Sequence, residues 1–418
     1  MDGVFAINKP SGVSSANFLN RVNRIFSEAS IFQASLKQNS RNYKRGKTYK
    51  KNPKVKMGHG GTLDPLASGV LIVGLGAGTK KLGGYTNGSV KVYETVALLG
   101  GSTTTGDCEG QLLTRTEVSH IDKSLMAATR DKFVGTLNQT PPIFSALKMD
   151  GKPLYEYARK GLPLPKQIKS REVKVYDFTL HDDCLSTEHD YKFLKPELDE
   201  DGSSLTDKLV NNPTLNDHTV PISNEYLEKA KSDPNLKTEI EPVRELVDSS
   251  KYESDEYRAP IAHFTSTVSS GTYIRSLISD YGRALGSSAY MVKLIRHKQA
   301  EWDLAKNCFQ IEDFESNDES VWGPVLKKVL EKGNEVNVEE ELKTLKEKWN
   351  QEHKDEKSEE PDAGDAKRRK VEEPKSEEPD AGDAKRRKVE EPKTEEGKKS
   401  DSGSVEVKSE DKTCPADV

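Results

Sequence analysis

The chain has 418 residues, of which 32% are charged and only 33% hydrophobic, too little apolar content to fill a globular core along its whole length. The shortfall sits at the end, where residues 351–418 hold 22 acids and 16 bases without one Ile, Leu, Met, Phe, Trp or Tyr, so nothing there offsets the entropy of ordering the backbone. The formal net charge of −5 averages a net +10 over residues 1–57 and a net −11 over residues 182–258, and therefore does not exclude a polyanionic partner.

In chain order, Phe18, Val22, Ile25 and Phe26 share one face, which predicts a helix from Ser14 to Phe26 capped by Ser14 or Ser15. Residues 37–56, KQNSRNYKRGKTYKKNPKVK, carry nine cations and no acid. With Tyr43 and Tyr49 interleaved, the run reads as a mobile basic loop suited to nucleic-acid backbone, with Lys44, Arg45, Lys47, Lys50 and Lys51 as its contacts. Gly69–Gly76 reads as a buried strand, and Val90, Val92, Val96 and Leu98 alternate along a second. Residues 173–180 and 261–268 predict two more strands, and helices are expected at Lys152–Lys160 and Tyr273–Leu285. Strands arriving irregularly among few helices predict an α+β fold with a mixed, mainly antiparallel sheet.

Residues 183–258, rich in Pro, Asn, Ser and Asp with no sustained period, read as an acidic, partly disordered surface insertion. It separates a first part of the folded region, 1–182, from a second, 259–310. A helical segment, 311–350, follows, with Val338, Leu342, Leu345 and Trp349 as its stripe, and 351–418 is the disordered tail. In that tail KSEEPDAGDAKRRKVEEP occurs at 357–374 and again at 375–392, which is low-complexity sequence. Its clusters Lys367–Lys370 and Lys385–Lys388, both KRRK, are expected to engage an import receptor and direct the chain to the nucleus. Residues 3–27, free of acid and containing Arg21 and Arg24 on an amphipathic helix, leave room for an additional mitochondrial pool. Cys108, Cys184, Cys308 and Cys414 have no C-x-x-C spacing, so neither a disulfide framework nor a zinc knuckle is expected. No apolar run has the length of a membrane span, and a soluble intracellular monomer is expected.

The densest special sequence is GHGGTLDPLASG at 58–69. Pro65 disfavours the helical region for Asp64, so the carboxylate is carried on an extended, restricted backbone. The same residues could form an ordinary Asp-Pro turn. A phosphate loop is excluded by spacing, since neither GHGGTL nor GLGAGTK fits G-x-x-x-x-G-K-[ST] or G-x-G-x-x-G. His59 and Asp64 have no ligand cluster beside them, so no metal is expected. A second concentration, SSGTYIRSL at 269–277, joins a strand to a helix and puts Arg275 in the first helical turn. The helix dipole disfavours a cation there, which points to an anionic partner, either Asp64 or a nucleic-acid phosphate. Tyr93, in KVYET, reads first as sheet packing.

Taken together, NKPSGVSS (8–15), GHGGTLDPLASGVL (58–71), KVYETVALLG (91–100), TTTGDCEG (103–110), PPIFSALKMDGKPLYEYARKG (141–161), SSGTYIRSL (269–277) and KLIR (293–296) resemble the TruB family of pseudouridine synthases. That family isomerises the uridine at position 55 in the T loop of tRNA. The resemblance implies that Asp64 is the nucleophile, attacking sugar C1′ or uracil C6, and that Arg275 is its ion-pair partner. It implies that Tyr93 stacks on the flipped base and assists proton transfer, that Tyr273 and Leu294 line the uracil pocket, and that His59 helps to hold the T loop. Lys9 and Lys148, inside matched segments, are placed with the substrate-binding residues. A guanidinium beside a carboxylate favours its ionised, nucleophilic form. The rearrangement implies no cofactor and no metal, and the implied partner is the T stem-loop of tRNA or another RNA with a similar hairpin.

Three departures and two alternatives accompany the resemblance, the first being that the acidic insertion has no counterpart in compact members. Ile295 stands where many members place a further Arg, and residues 297–350 are too few and too helical for the PUA domain of some relatives. A guide-RNA-dependent, dyskerin-like synthase would suit the charged tail, although NKPSGVSS and KMDGKPLYEYARKG look more like the stand-alone enzymes. A non-catalytic RNA-binding or RNA-folding protein is the other alternative, against which the intact Asp64, Tyr93, Tyr273 and Arg275 argue.

Overall fold

A computed structural model describes residues 1–43, 54–160, 162–196, 219–246, 248 and 250–357. Lys44, Arg45, Lys47, Lys50, Lys51 and both KRRK clusters lie outside the described residues.

The run GVFAINK forms strand β1 (Gly3–Lys9), almost wholly buried. Ser14 accepts the Asn17 amide and starts α1 (Ser15–Glu28), whose buried Phe18, Val22 and Phe26 lie on the predicted face. Helix α2 (Ser30–Tyr43) follows directly, so residues 37–43 are helical where the cation run predicts loop. The cause lies across the fold. Phe32 and Leu36, one turn apart, are buried, and the Glu319 carboxylate accepts the Ser30 and Ile31 amides, each at 2.8 Å, which the helix start leaves without intrahelical partners.

Then come β2 (Met57–His59), β3 (Ser68–Leu75), β4 (Lys91–Leu99), β5 (Gly135–Gln139) and β6 (Arg171–Leu180). After α3 (Asn224–Ser232) follow β7 (Ile261–Val268), α4 (Ile274–Ala284), β8 (Ala289–Gln299), β9 (Cys308–Phe309), α5 (Glu319–Lys332) and α6 (Val338–Lys357). The strands hydrogen-bond in the order β9–β1–β3–β8–β4–β7–β6–β5, with β2 beside β3. The β1–β9 and β3–β8 pairs are parallel, and the other pairs on this path are antiparallel. This is the expected mixed, mainly antiparallel α+β sheet. The predicted helix at Lys152–Lys160 is shorter, Leu154–Arg159, because Lys152 and Pro153 pair with Lys148 and Met149 in a hairpin.

Helices α1, α2 and α5 cover β1 through stacked aromatics. Phe26 lies 4.8 Å from Phe32 and 5.7 Å from Trp322, ring centre to ring centre, with the Phe314 edge at 5.1 Å. Such pairs contribute about 0.5–1.5 kcal/mol each beyond their burial. The helical segment 311–350 is thus part of the core. Farther along the sheet, Ile274, Leu277, Ile278, Tyr281 and Leu285 of the α4 region are buried, as their spacing predicts.

Much of the acidic stretch is packed against the same body. Glu225 of α3 accepts the Thr136 amide at 2.5 Å, Glu245 bridges Thr116, and Phe193, Tyr226 and Tyr252 are buried. Among the described residues no helix is long and apolar enough to cross a membrane.

Candidate active site

The Asp64 loop is held by the segment that precedes α1, which explains why NKPSGVSS and GTLDPLASG are both special. Ser15 Oγ donates to the Leu63 carbonyl at 2.7 Å and accepts the Leu63 amide at 2.9 Å. Ser11 Oγ donates to the Leu66 carbonyl, and the Gly12 amide to that of Pro65 at 2.9 Å. Lys9 is fully buried beneath the loop and donates to the Pro10, Val13 and Pro65 carbonyls at 2.8, 2.6 and 3.2 Å. Burial pushes its ammonium down to about 8, against the pull of Glu109 and Asp64. It braces the loop rather than lining a cleft. Behind the loop, Gly69 has φ +105°, and a Cβ there would meet the Arg296 carbonyl oxygen at 2.3 Å, so only glycine lets β3 begin this close to β8.

Asp64 opens into a cleft of about 520 Å³. Its Oδ2 accepts from Arg275 Nε at 2.8 Å. The same guanidinium donates to the Thr105 carbonyl at 2.6 Å and the Phe144 carbonyl at 2.8 Å, and the buried Asp107 stands 3.6 Å from Nε. Arg275 is the second residue of α4, where the dipole opposes it, and these three acceptors and the nearby Asp107 charge offset that cost. The structure thus settles its partner as a carboxylate.

The cleft brings together Asp64, Tyr93, Tyr273, Arg275 and Leu294 from four separate stretches of chain. Tyr93 and Leu294 share the cleft-facing side of β4 and β8, both buried. Tyr273 is fixed through its backbone, since Gln139 accepts its amide at 2.7 Å and donates to its carbonyl at 3.0 Å. His59 and Lys148 are not among the lining residues. His59 sits on β2, its imidazole pushed down first by burial and then by the Arg296 charge. Lys148 is exposed in the hairpin at 148–153.

Three lining residues escape sequence reasoning. Arg171 lies over the Tyr273 ring at 4.8 Å, and Lys91 and Arg296 line the wall beside Tyr93 although both are buried. Asp107, the second carboxylate on Arg275, also escapes it. For Lys91 and Arg296 the signal is period two, since Lys91 is two residues from Tyr93 and Arg296 two from Leu294, so each pair shares a face; Arg171 and Asp107 carry no such signal.

A half-exposed carboxylate held by a buried guanidinium, in a cleft also lined by a tyrosine and a leucine, has the make-up of an enzyme active site. The comparisons agree. The family model described as TruB family pseudouridylate synthase (N terminal domain) matches residues 47–193. The tRNA pseudouridine synthase 4 of Saccharomyces cerevisiae is 48% identical over 358 residues, covering 82% of this chain and 88% of that protein. Its namesake from Schizosaccharomyces pombe is 39% identical, covering 75% and 82% respectively. The tRNA pseudouridine synthase B of Thermobifida fusca is 37% identical over 43% of this chain and 51% of its own. The chain belongs to the TruB family of pseudouridylate synthases.

Proposed function

We propose that this protein is a stand-alone tRNA pseudouridine synthase that isomerises uridine 55 of the T loop, with Asp64 as nucleophile. The observation that carries the reading is the 2.8 Å Asp64–Arg275 pair at the mouth of a cleft walled by Tyr93 and Leu294. The 48% identity to a tRNA pseudouridine synthase supports tRNA as the substrate class.

The target uridine leaves its stack, at a cost of a few kcal/mol that ring contacts in the cleft offset. Asp64 attacks C1′ or C6, the C1′–N1 bond breaks, the base turns and C5 bonds to C1′; on the first route this displaces Asp64 from C1′, and on the second the Asp64–C6 bond breaks as the C5=C6 bond re-forms. The C5 proton is then lost while N1 gains one, leaving an isomer with no change of redox state. Tyr93 stacks on the ring and assists removal of the C5 proton, Arg275 aims the carboxylate, Tyr273 and Leu294 confine the uracil, and His59 contacts the T loop outside the cleft. The KRRK clusters serve nuclear import, with the acid-free residues 3–27 supporting a mitochondrial pool.

Tritium release from a T-loop transcript carrying 5-³H-uridine tests this. The purified protein should release tritium without any guide RNA, Asp64→Ala should release none, and the new pseudouridine should map to position 55. Equal release by Asp64→Ala, or a requirement for guide RNA, would overturn the reading.

A further inference from the structure

The cleft wall carries two buried cations that the roles above leave unused. Lys91 of β4 and Arg296 of β8 are 7% and 1% exposed, yet both line the cleft. Arg296 donates to the Val70 carbonyl at 2.7 Å, the Gly61 carbonyl at 3.1 Å and the Tyr93 hydroxyl at 3.4 Å. Lys91 Nζ donates to the Ser89 carbonyl and to Ser89 Oγ, both at 3.0 Å. Every one of these acceptors is neutral. Among the described residues neither cation has a carboxylate within 4.0 Å, unlike Arg275, which has two.

Burying a cation among neutral acceptors is costly, and burying two side by side adds their repulsion. The strain shows at Lys91, whose ammonium is pushed down to about 8 by burial and then by the Arg296 charge. Arg296 also ties the Gly61 and Val70 carbonyls to β8, but Lys91 bonds only to Ser89, and methionine or leucine would fill its strand position more cheaply. An anion that arrives with the substrate gives the buried charge a reason. Tyr93 and Leu294 sit on the same strand faces, two residues from Lys91 and Arg296 respectively, so the cations border the place where the ring is confined.

We propose that Lys91 and Arg296 form an electrostatic wall that stabilises the negative charge developing on the uracil ring during the rearrangement. The inference rests on the pseudouridine synthase reading and adds two catalytic residues to it. If Asp64 attacks C1′, both electrons of the C1′–N1 bond remain on uracil, and their charge spreads over N1, O2 and O4. If it attacks C6, the C5=C6 pair moves toward O4. Either route places charge on the carbonyl oxygens, and the pair is recovered when C5 bonds to C1′ and the C5 proton departs. A preset cation in a water-poor wall needs no reorganisation at that moment.

The test is Lys91→Met in the full chain, read by single-turnover conversion at saturating T-loop transcript, by transcript Kd and by thermal unfolding. Single-turnover rate should fall about 100-fold, the size of losing one preset donor, while Kd stays within about threefold. Tm should stay level or rise, because a strained buried charge is gone. An unchanged rate overturns the proposal. So does a loss confined to Kd, which would make Lys91 a phosphate contact, or a rate loss that tracks a lowered Tm, which would make it structural. Lys91→Gln, measured alongside, guards against a packing fault peculiar to Met, and failure of both to fold also counts against a strained lysine. The wild-type protein is the control for the underlying reading: if it releases no tritium, that reading fails, whereas active wild type with equally active Lys91 variants sinks this proposal alone.

Discussion

The guanidinium of Arg275 separates two carboxylates. Asp64 lies 2.8 Å from its Nε and Asp107 3.6 Å, the latter almost wholly buried. Removing the cation would leave the two acids facing each other with no other cation within ion-pair distance among the described residues. Arg275→Met should therefore cost about 3–5 kcal/mol of folding stability as well as the reaction. Denaturant unfolding measures this, and a variant as stable as wild type would show that the pair is not the keystone the geometry makes it. At this scale the sequence is legible where a residue breaks a local rule. Asp64 precedes a proline and Arg275 sits at the wrong end of a helix dipole, so each announces a special environment. Lys91 and Arg296 break no local rule, since a charged residue on an alternating strand ordinarily faces water. Only the fold, by covering that face, turns them into buried charges.

Among elements, β4 and β8 form the pair on which both faces of the sheet depend. One face bears Tyr93, Leu294, Lys91 and Arg296. The other bears Glu94, which accepts from Lys293 at 2.8 Å and His297 at 2.9 Å. Burial by itself would raise the Glu94 carboxyl, but these two donors outweigh it and hold it at about 2. A folded-state value below the ordinary 4.5 means that Glu94 stabilises the fold fully above that pH and loses its contribution as pH falls toward 2. Glu94→Gln should thus be less stable by on the order of 2–3 kcal/mol at pH 7, with the gap to wild type closing between about pH 4.5 and 2. A gap that stays constant with pH would assign the loss to packing instead. β8 itself is hard to read in advance, because irregularities near Met291 and Arg296 shift its alternation and hide the period of two. Helix α2 is hidden for a different reason: its cap is Glu319, some 289 residues away, and no local window contains it.

Across the whole molecule, charge is sorted as the sequence indicates, and the fold adds where the basic end is tethered. Residues 44–53 leave from α2 and return at Lys54, and the Asn23 side chain fixes the next residue by donating to the Val55 carbonyl at 2.7 Å. From there β2 runs straight into the Asp64 loop. The return of the chain at Lys54 is thus ten residues before the nucleophile, which makes the basic segment a candidate RNA contact. Replacing Lys44, Arg45, Lys47, Lys50 and Lys51 together with Gln removes up to five phosphate contacts. The plot of log affinity for the T stem-loop against log salt should then become shallower by up to about 3.5 to 4.5, at roughly 0.7–0.9 per contact. Single-turnover conversion at saturating RNA should persist, because Asp64, Arg275 and the cleft wall are untouched. A slope equal to that of wild type would place the RNA grip elsewhere on the surface and leave the concentration of charge in residues 37–56 without a role in substrate binding.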